Sequence, residues 1–376
     1  MESHHQCQDP SARTEAEDRR SGLNSSQSQT DLHAPLRSLT CSRYLHTFLM
    51  LGIFLATLFS SGCQRKQDKS PRREDSSGAT LEILVVTDNK EQWDGSLGDT
   101  LRNFFGQIQT TLPQPEPRFT LAHLEVTGFG KMFQAHHNIL ILTVDPGNRK
   151  PLLETRKDLW AEPQRVIKVT APSYMDLVAE VDSNKKAFMD LFLETDYARA
   201  TKTDKTYPEY KLIKQLESEY NISLVIPVGF VLAKKTSEFI WLRKETLKTS
   251  QGILIYLEPY TDTVQFSNDN IIRRRNLYTM NWIPGPSQGS FMTTDVNNIK
   301  PSFHRRLIND RFTVETRGTW ETMGDFMGGP FVSYTMVDDK HDRLVTLEGY
   351  VYAPNAPKTV LLHHVEAICR TVGFTD

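Results

Sequence analysis

Cysteine is scarce in this chain, and its placement matters more than its amount. Four occur, Cys7, Cys41, Cys63 and Cys369, and only Cys369 lies beyond the first 63 residues. No disulfide can therefore form within the main body, which must be held by its core. Charge of one sign is also lacking: 44 Lys and Arg stand against 46 Asp and Glu. A near-neutral body excludes the broad basic footprint that nucleic-acid binding needs. The sequence contains no phosphate-cradling glycine loop, no nucleophile elbow and no metal-ligand spacing. The adjacent pairs His136-His137 and His363-His364 point apart on a strand or helix rather than onto one ion, which gives them structural or solvated roles. No cofactor is expected.

Long hydrophobic runs are absent too, with one exception. Residues 44–62 read YLHTFLMLGIFLATLFSSG, then comes Cys63, then the polar run QRKQDKSPRREDSSGA. A short apolar stretch closed by small residues and followed at once by charge has the form of a secretory signal with its cleavage site. A cysteine just after Ser60-Ser61-Gly62 is where a lipoprotein pathway attaches lipid, although Ser60 stands where such a box usually has leucine. A transmembrane anchor and a plain cleaved signal are the competing readings. The run is slightly short of the roughly 20 residues needed to span a bilayer and carries His46, and a plain signal leaves Cys63 unexplained. The first 43 residues are polar and far longer than a normal leader, so translation from a start near Leu36 is expected. Residues 1–62 are thus read as extension and cleaved signal, and 63–79 as a lipidated cysteine with a solvated tether.

Some 300 residues remain, enough for one large or two ordinary domains. Residues 81–87, 119–126, 138–144 and 165–170 read as strands. A helix opens near Ser96, with Ser96 and Asp99 resembling a capping box. Its stripe of Leu97, Leu101, Phe104, Phe105 and Ile108 ends before the prolines of 112–117. Longer helices are predicted from Ser173 to about Leu193 and over 208–220. Pro227 breaks the apolar run 222–232 into a broken or edge strand. Strands at 238–243 and 252–258, a helix over 268–282, strands at 311–318, 330–337 and 343–353, and a closing amphipathic helix complete the pattern. Cys369 falls on the apolar stripe of that last helix, as a core residue does. The expected class is α+β, with mixed or antiparallel sheets and helices packed on one face. The echo of L-P-x-P (112–115) by I-P-x-P (283–286), each after a strand and a helix, raises the reading of two similar tandem halves, 80–235 and 236–376.

Two stretches are dense in unusual residues: NWIPGPSQGSFMTTD (281–295) and RGTWETMGDFMGGPFVSYT (317–335), the latter followed by EGYVYAP (348–354). Together with W-x-G-x-x-G-D-T-L (93–101) they resemble a family of Bacteroidota lipoproteins described as domain of unknown function 4837. The resemblance spans residues 80–374 and implies a lipid-anchored envelope protein, with no activity to carry over.

Arg317, Trp320, Glu321 and Asp325 place a cation, an aromatic ring and two carboxylates within nine residues. As chemistry, Glu321 and Asp325 make an acid/base pair beside a stacking Trp320, as glycan cleavage requires. As structure, Arg317 and Glu321 are a salt bridge, Trp320 is core, and Gly328-Gly329 supply a positive-φ turn into the next strand. Ser290, His304 and Asp295 can be drawn as a triad, without an elbow to support it. Binding is expected to involve Arg317, Trp320, Glu321, Asp325, Ser290 and Asp295. The expected role is a non-catalytic binding or assembly module on the cell envelope, most simply the outer membrane, anchored through Cys63. Envelope proteins are the expected partners. The alternatives are a hydrolase of envelope glycan or peptide using Glu321 and Asp325, and a subunit of a larger envelope machine.

Overall fold

The computed structural model describes residues 73–376. The signal-like run and Cys63 lie outside them, and no described helix is long and apolar enough to cross a membrane.

The first part runs β1 (Glu74–Asp75), β2 (Glu82–Thr87), α1 (Lys90–Asp94), α2 (Ser96–Phe105), β3 (Thr120–Glu125) and α3 (Lys131–Gln134). It continues with β4 (Asn138–Val144), β5 (Leu152–Lys157), β6 (Ala161–Glu162), β7 (Arg165–Ala171) and α4 (Tyr174–Asp204). Strands β3, β2, β4 and β7 lie side by side and parallel, with β5 antiparallel on the edge. Parallel strands are buried on both faces, which is why β2, β4 and β7 read as nearly continuous apolar runs. On one face, Ile83, Val85, Leu140 and Ile167 pack under Leu97, Leu101 and Phe105 of α2 and Leu177, Val181 and Phe192 of α4. Ser173 caps α4, accepting from the Asp176 amide at 3.2 Å.

The second part runs α5 (Tyr210–Tyr220), β8 (Ile222–Ser223), β9 (Val231–Lys235), β10 (Phe239–Glu245), β11 (Ser250–Pro259) and α6 (Asn268–Trp282). Then come β12 (Phe291–Asp295), β13 (Ser302–Ile308), β14 (Arg311–Met323), β15 (Gly328–Asp338), β16 (Arg343–Tyr352), α7 (Thr359–Arg370) and β17 (Gly373–Phe374). Eight of these strands form one sheet in the order β12-β14-β15-β16-β11-β10-β9, with β13 also on β14, and every pairing is antiparallel. Its two faces have separate cores. Val332, Tyr334, Val345 and Leu347 meet α5 and α7 on one side, while Phe239, Tyr256, Phe331 and Tyr350 meet Tyr278 and Trp282 of α6 on the other.

The α+β class holds, with several corrections of detail. The halves are not alike, since one sheet is largely parallel and the other wholly antiparallel; the proline echo is a coincidence of common parts. A single helical face is not kept, because α6 covers the side of the second sheet opposite α5 and α7. Residues 210–235, expected with the first half, pack on the second sheet: Leu212, Leu216 and Tyr220 share a core with Ile240 and Leu242. The tether ends before residue 79, because β1 pairs with β6 and the Ser77 amide donates to the Ala135 carbonyl at 2.8 Å. The capping box near Ser96 is absent. Gly95 occupies the cap position, and Asp99 instead pairs with Arg102 at 2.8 Å.

The halves are stitched together by charge. Glu116, in the proline segment of the first half, accepts the backbone N–H groups of Lys358 and Thr359 at 2.8–2.9 Å. Those amides open α7, so a carboxylate satisfies donors that the helix leaves unpaired and complements its dipole. His364 of α7 meets Asp204 of α4 at 3.0 Å.

Candidate functional site

The dense sequence stretches meet at one end of the second sheet. Successive side chains of a strand point to opposite faces, so Trp241 and Arg243 of β10, Trp320 and Thr322 of β14, and Tyr350 and Tyr352 of β16 share the face that α6 covers. Beyond the end of α6 this face is left open as a cleft of about 760 Å³, within the size range of small-molecule sites. Ile283, Pro284, Gly285 and Pro286 form one wall, and Met292 and Met327 contribute apolar side chains. The rim is the β10–β11 turn, Thr246 to Thr249, facing Pro354, Asn355 and Ala356 after β16.

The floor is fixed by ring packing and hydrogen bonds. Trp241 Nε1 donates to the Tyr350 hydroxyl at 3.0 Å, and Trp320 Nε1 donates to the Val351 carbonyl at 3.2 Å. The Trp320 and Tyr350 rings meet edge to face at 5.7 Å, a favoured aromatic geometry. Burial raises the Tyr350 hydroxyl pKa far out of the working range, so this group orients and does not titrate. Two glycines make room for these rings. A Cβ on Gly252, which pairs with Tyr350 across the strands, would sit 2.0 Å from the Tyr350 ring. One on Gly329, which pairs with Trp320, would sit 2.1 Å from the Val351 carbonyl oxygen and 3.1 Å from the indole nitrogen.

The walls carry few charges. Arg243 lies over the Trp241 ring, 5.3 Å from its centroid, and pairs with Glu245 at 3.1 Å. Lys248 stands on the rim. Leu247 at the tip of the β10–β11 turn and Phe326 at the tip of the β14–β15 turn are fully exposed. Both tips lie at the sheet end where the cleft opens. Such a site can enclose an apolar group, stack a planar one and set one charge against it; no nucleophile is hydrogen-bonded to a base in its lining.

The residues singled out in the sequence are dispersed. β14 runs unbroken from Arg311 to Met323, so the pleat sends Arg317 and Glu321 to one face and Trp320 to the other. Arg317 is held by Glu315 at 2.8 Å and by Glu366; it does not pair with Glu321. The Glu321 side chain makes no hydrogen bond or ion pair with any described residue. Asp325 lies in the surface turn after β14, bonded to the Ser287 hydroxyl and to the Phe326 amide at 2.6 Å. The Ser287 bond holds its carboxyl below the usual range. The two carboxylates are therefore not a pair. Ser290 donates to the Ser287 carbonyl at 2.6 Å, Asp295 accepts the Asn297 and Asn298 amides at 3.1 and 2.9 Å, and His304 sits on β13, so no triad forms. The positive-φ glycine of this segment is Gly324, at +83°, and not Gly328 or Gly329; Gly329 is required by close approach. Of the singled-out residues, Trp320 alone lines the cleft.

Sequence reasoning missed Trp241, Arg243, Tyr350 and Tyr352 as partners of Trp320, although Tyr350 and Tyr352 belong to the E-G-Y-V-Y-A-P run. It also missed the ion pair of Arg275 with Glu348, whose signal was an arginine inside the helix and a glutamate inside an apolar strand. The adjacent histidines are structural: His136 bonds Glu82 at 2.8 Å and His137 meets buried Asp196 at 3.2 Å. Cys369 is fully buried, and burial raises its thiol pKa.

Residues 209–371 match the family model of a domain of unknown function (DUF4837). Residues 76–204 match that of a second domain of unknown function (DUF8532). The division falls just after α4, where the two sheets also part. No curated protein matches the chain. Among solved structures it is similar to a mutant of protein Mog1 and to the Saccharomyces cerevisiae Ran-binding protein Mog1p. Each is 10% identical with a TM-score of 0.29, and the match covers 42% of this chain and 92% and 91% of theirs, respectively. At that score the likeness carries no argument about this chain.

Proposed function

We propose that this protein is a lipid-anchored component of the cell envelope, held through Cys63, that binds its ligand without transforming it, and that the aromatic cleft is the binding site. The observation that carries this reading is convergence. Stretches beginning at 281, 317 and 348, well separated in sequence, all supply the lining of one cleft. Its chemistry favours an apolar or planar segment of an envelope peptide or glycan. Envelope proteins remain the expected partners. The hydrolase reading loses its acid/base pair, since Glu321 and Asp325 lie on different surfaces and neither lines the cleft.

Titration of the full chain with the fluorophore 1-anilinonaphthalene-8-sulfonate, read by quenching of Trp241 and Trp320, tests the site. One saturable site is expected, lost when Ala356→Trp fills the mouth and kept in Glu321→Gln and Asp325→Asn. Unchanged binding in Ala356→Trp would refute the assignment. Loss of cellular complementation in the two carboxylate variants, with the cleft variant fully active, would restore the hydrolase.

A further inference from the structure

A second cleft, of about 900 Å³, opens between α4 and the α7 side of the second sheet. Its floor is a buried charge network. The Glu366 Oε1 of α7 accepts from the Arg317 guanidinium, from the Tyr197 hydroxyl at 2.6 Å and from the Tyr334 hydroxyl at 2.7 Å. Burial alone would raise the Glu366 pKa, but Arg317 and these donors hold it well below the usual range. Glu315 takes Arg317 at 2.8 Å and Arg306 at 3.0 Å. At the rim Lys186 pairs with Asp190 at 2.9 Å, and Glu194 faces Arg165 at 3.7 Å. Every carboxylate lining the cleft therefore has a cation.

Three arginines in the same lining form no close ion pair with a described carboxylate: Arg118, Arg305 and Arg370. Arg118, just before β3, makes no side-chain hydrogen bond or ion pair with any described residue, and its Nε is sealed from solvent without an acceptor. Burial, and then repulsion from Arg317, lower its pKa by more than Glu366, Tyr197 and Glu315 raise it. Arg370 of α7 lies over the Tyr197 ring at 4.4 Å, where, against the lowering effect of burial, Tyr334, Tyr197 and Glu366 raise its pKa, and Arg305 is exposed on β13. A partly buried guanidinium whose Nε has no acceptor is costly, and an anion entering the cleft would offset that cost.

We propose that this cleft binds a phosphate-bearing ligand, with Arg118 as its innermost contact, Arg370 near it and Arg305 at the exposed rim. Planar guanidinium forks suit phosphate oxygens, and the lining carries six Lys and Arg side chains against four carboxylates. The cleft is larger than phosphate itself, so the group belongs to a sugar phosphate or to a lipid headgroup. Equilibrium dialysis of the full chain at constant ionic strength should show saturable binding of inorganic phosphate but not of acetate. Arg118→Gln should weaken it about tenfold or more while raising the melting temperature without phosphate. Arg305→Gln, on an exposed strand position, should weaken it by a smaller factor with folding intact. Glucose 1-phosphate and phosphatidic acid vesicles then separate the two sources, the true one being the probe whose binding Arg118→Gln abolishes. Absence of phosphate binding, or equal binding by wild type and both variants, would overturn the proposal.

Discussion

Replacing Glu348 by glutamine should be among the most damaging conservative changes in the second sheet. Both carboxylate oxygens are occupied: Oε1 accepts from Arg275 Nη2 at 2.8 Å, and Oε2 from Arg275 Nε at 2.9 Å and the Tyr256 hydroxyl at 2.8 Å. The side chains of Arg275 and Glu348 are 2% and 0% exposed. The third arm of the guanidinium reaches Thr294 Oγ1 at 2.9 Å, and its carbon lies 4.0 Å from the centroid of the Phe331 ring. Glutamine keeps the shape but removes the charge and one acceptor, so a guanidinium from α6 is left buried without compensation. Breaking a buried pair in this way costs about 3–5 kcal/mol. At about 2 °C per kcal/mol for a body of this size, the melting temperature should fall by roughly 6–10 °C. Arg275→Met combined with Glu348→Leu should lose much less than Glu348→Gln alone, since two apolar groups need no partner. Urea titrations of the two singles and the double give the coupling directly. A loss below about 1 kcal/mol in Glu348→Gln, or a double mutant as damaged as the sum of its singles, would refute this account of the α6–sheet contact.

Gly252→Ala should cost about 1–3 kcal/mol by overpacking and shift tryptophan emission, because its new methyl meets the Tyr350 ring; a silent substitution would show that ring to be mobile. Burial lowers the pKa of His136 and of His363 below 6.5. The unfolded chain therefore takes up those protons first, so their contribution to stability is complete above pH 6.5 and is lost as pH falls toward the folded values. Urea midpoints should decline over that window, and less steeply in His363→Asn; a flat profile would refute it. Cys63→Ser should abolish labelling by a clickable palmitate analogue and release the protein from the membrane fraction, whereas persistent labelling would remove the anchor from the proposal. A chain starting at Leu36 behind an initiating Met should be exported and labelled as well as the full one, and failed export would give the extension a role.

The elements that could be read from sequence are those whose burial is one-sided or complete. β4 and α6 were placed to the residue because both their ends coincide with changes in apolar pattern. β5 was missed because all six of its residues are exposed on a sheet edge, and β13 because its His-Arg-Arg centre faces solvent on one side and a charged cleft on the other. The last turns of α4 beyond Leu193 were missed for a different reason. They pack through polar groups: Asp196 accepts the Leu81 amide at 2.9 Å and Asn138 Nδ2 at 2.7 Å. A helix held by hydrogen bonds to a neighbouring strand leaves no apolar stripe to find.

The constellation at 317–325 failed on the same ground of geometry. Closeness in sequence becomes closeness of side chains in a turn or a helix, but in a strand it alternates, and β14 extends five residues further than its apolar pattern indicated. What the dense stretches recorded instead was crowding. Trp320 opposite Gly329 and Tyr350 opposite Gly252 each require a large ring beside a residue with no side chain, and Glu348 requires Arg275. These demands fix residue identity as tightly as catalysis does, so density alone cannot separate packing from function. Solvent access separates them. The Arg275–Glu348 pair is sealed on every side, and its residues answer only to stability. Trp320, Tyr350 and Tyr352 are packed from beneath yet line a cleft open at the sheet end, beside two fully exposed apolar tips. Stability demands a firm floor there but gives no reason for the space above it or for Leu247 and Phe326 at its edge, and a ligand gives a reason for both.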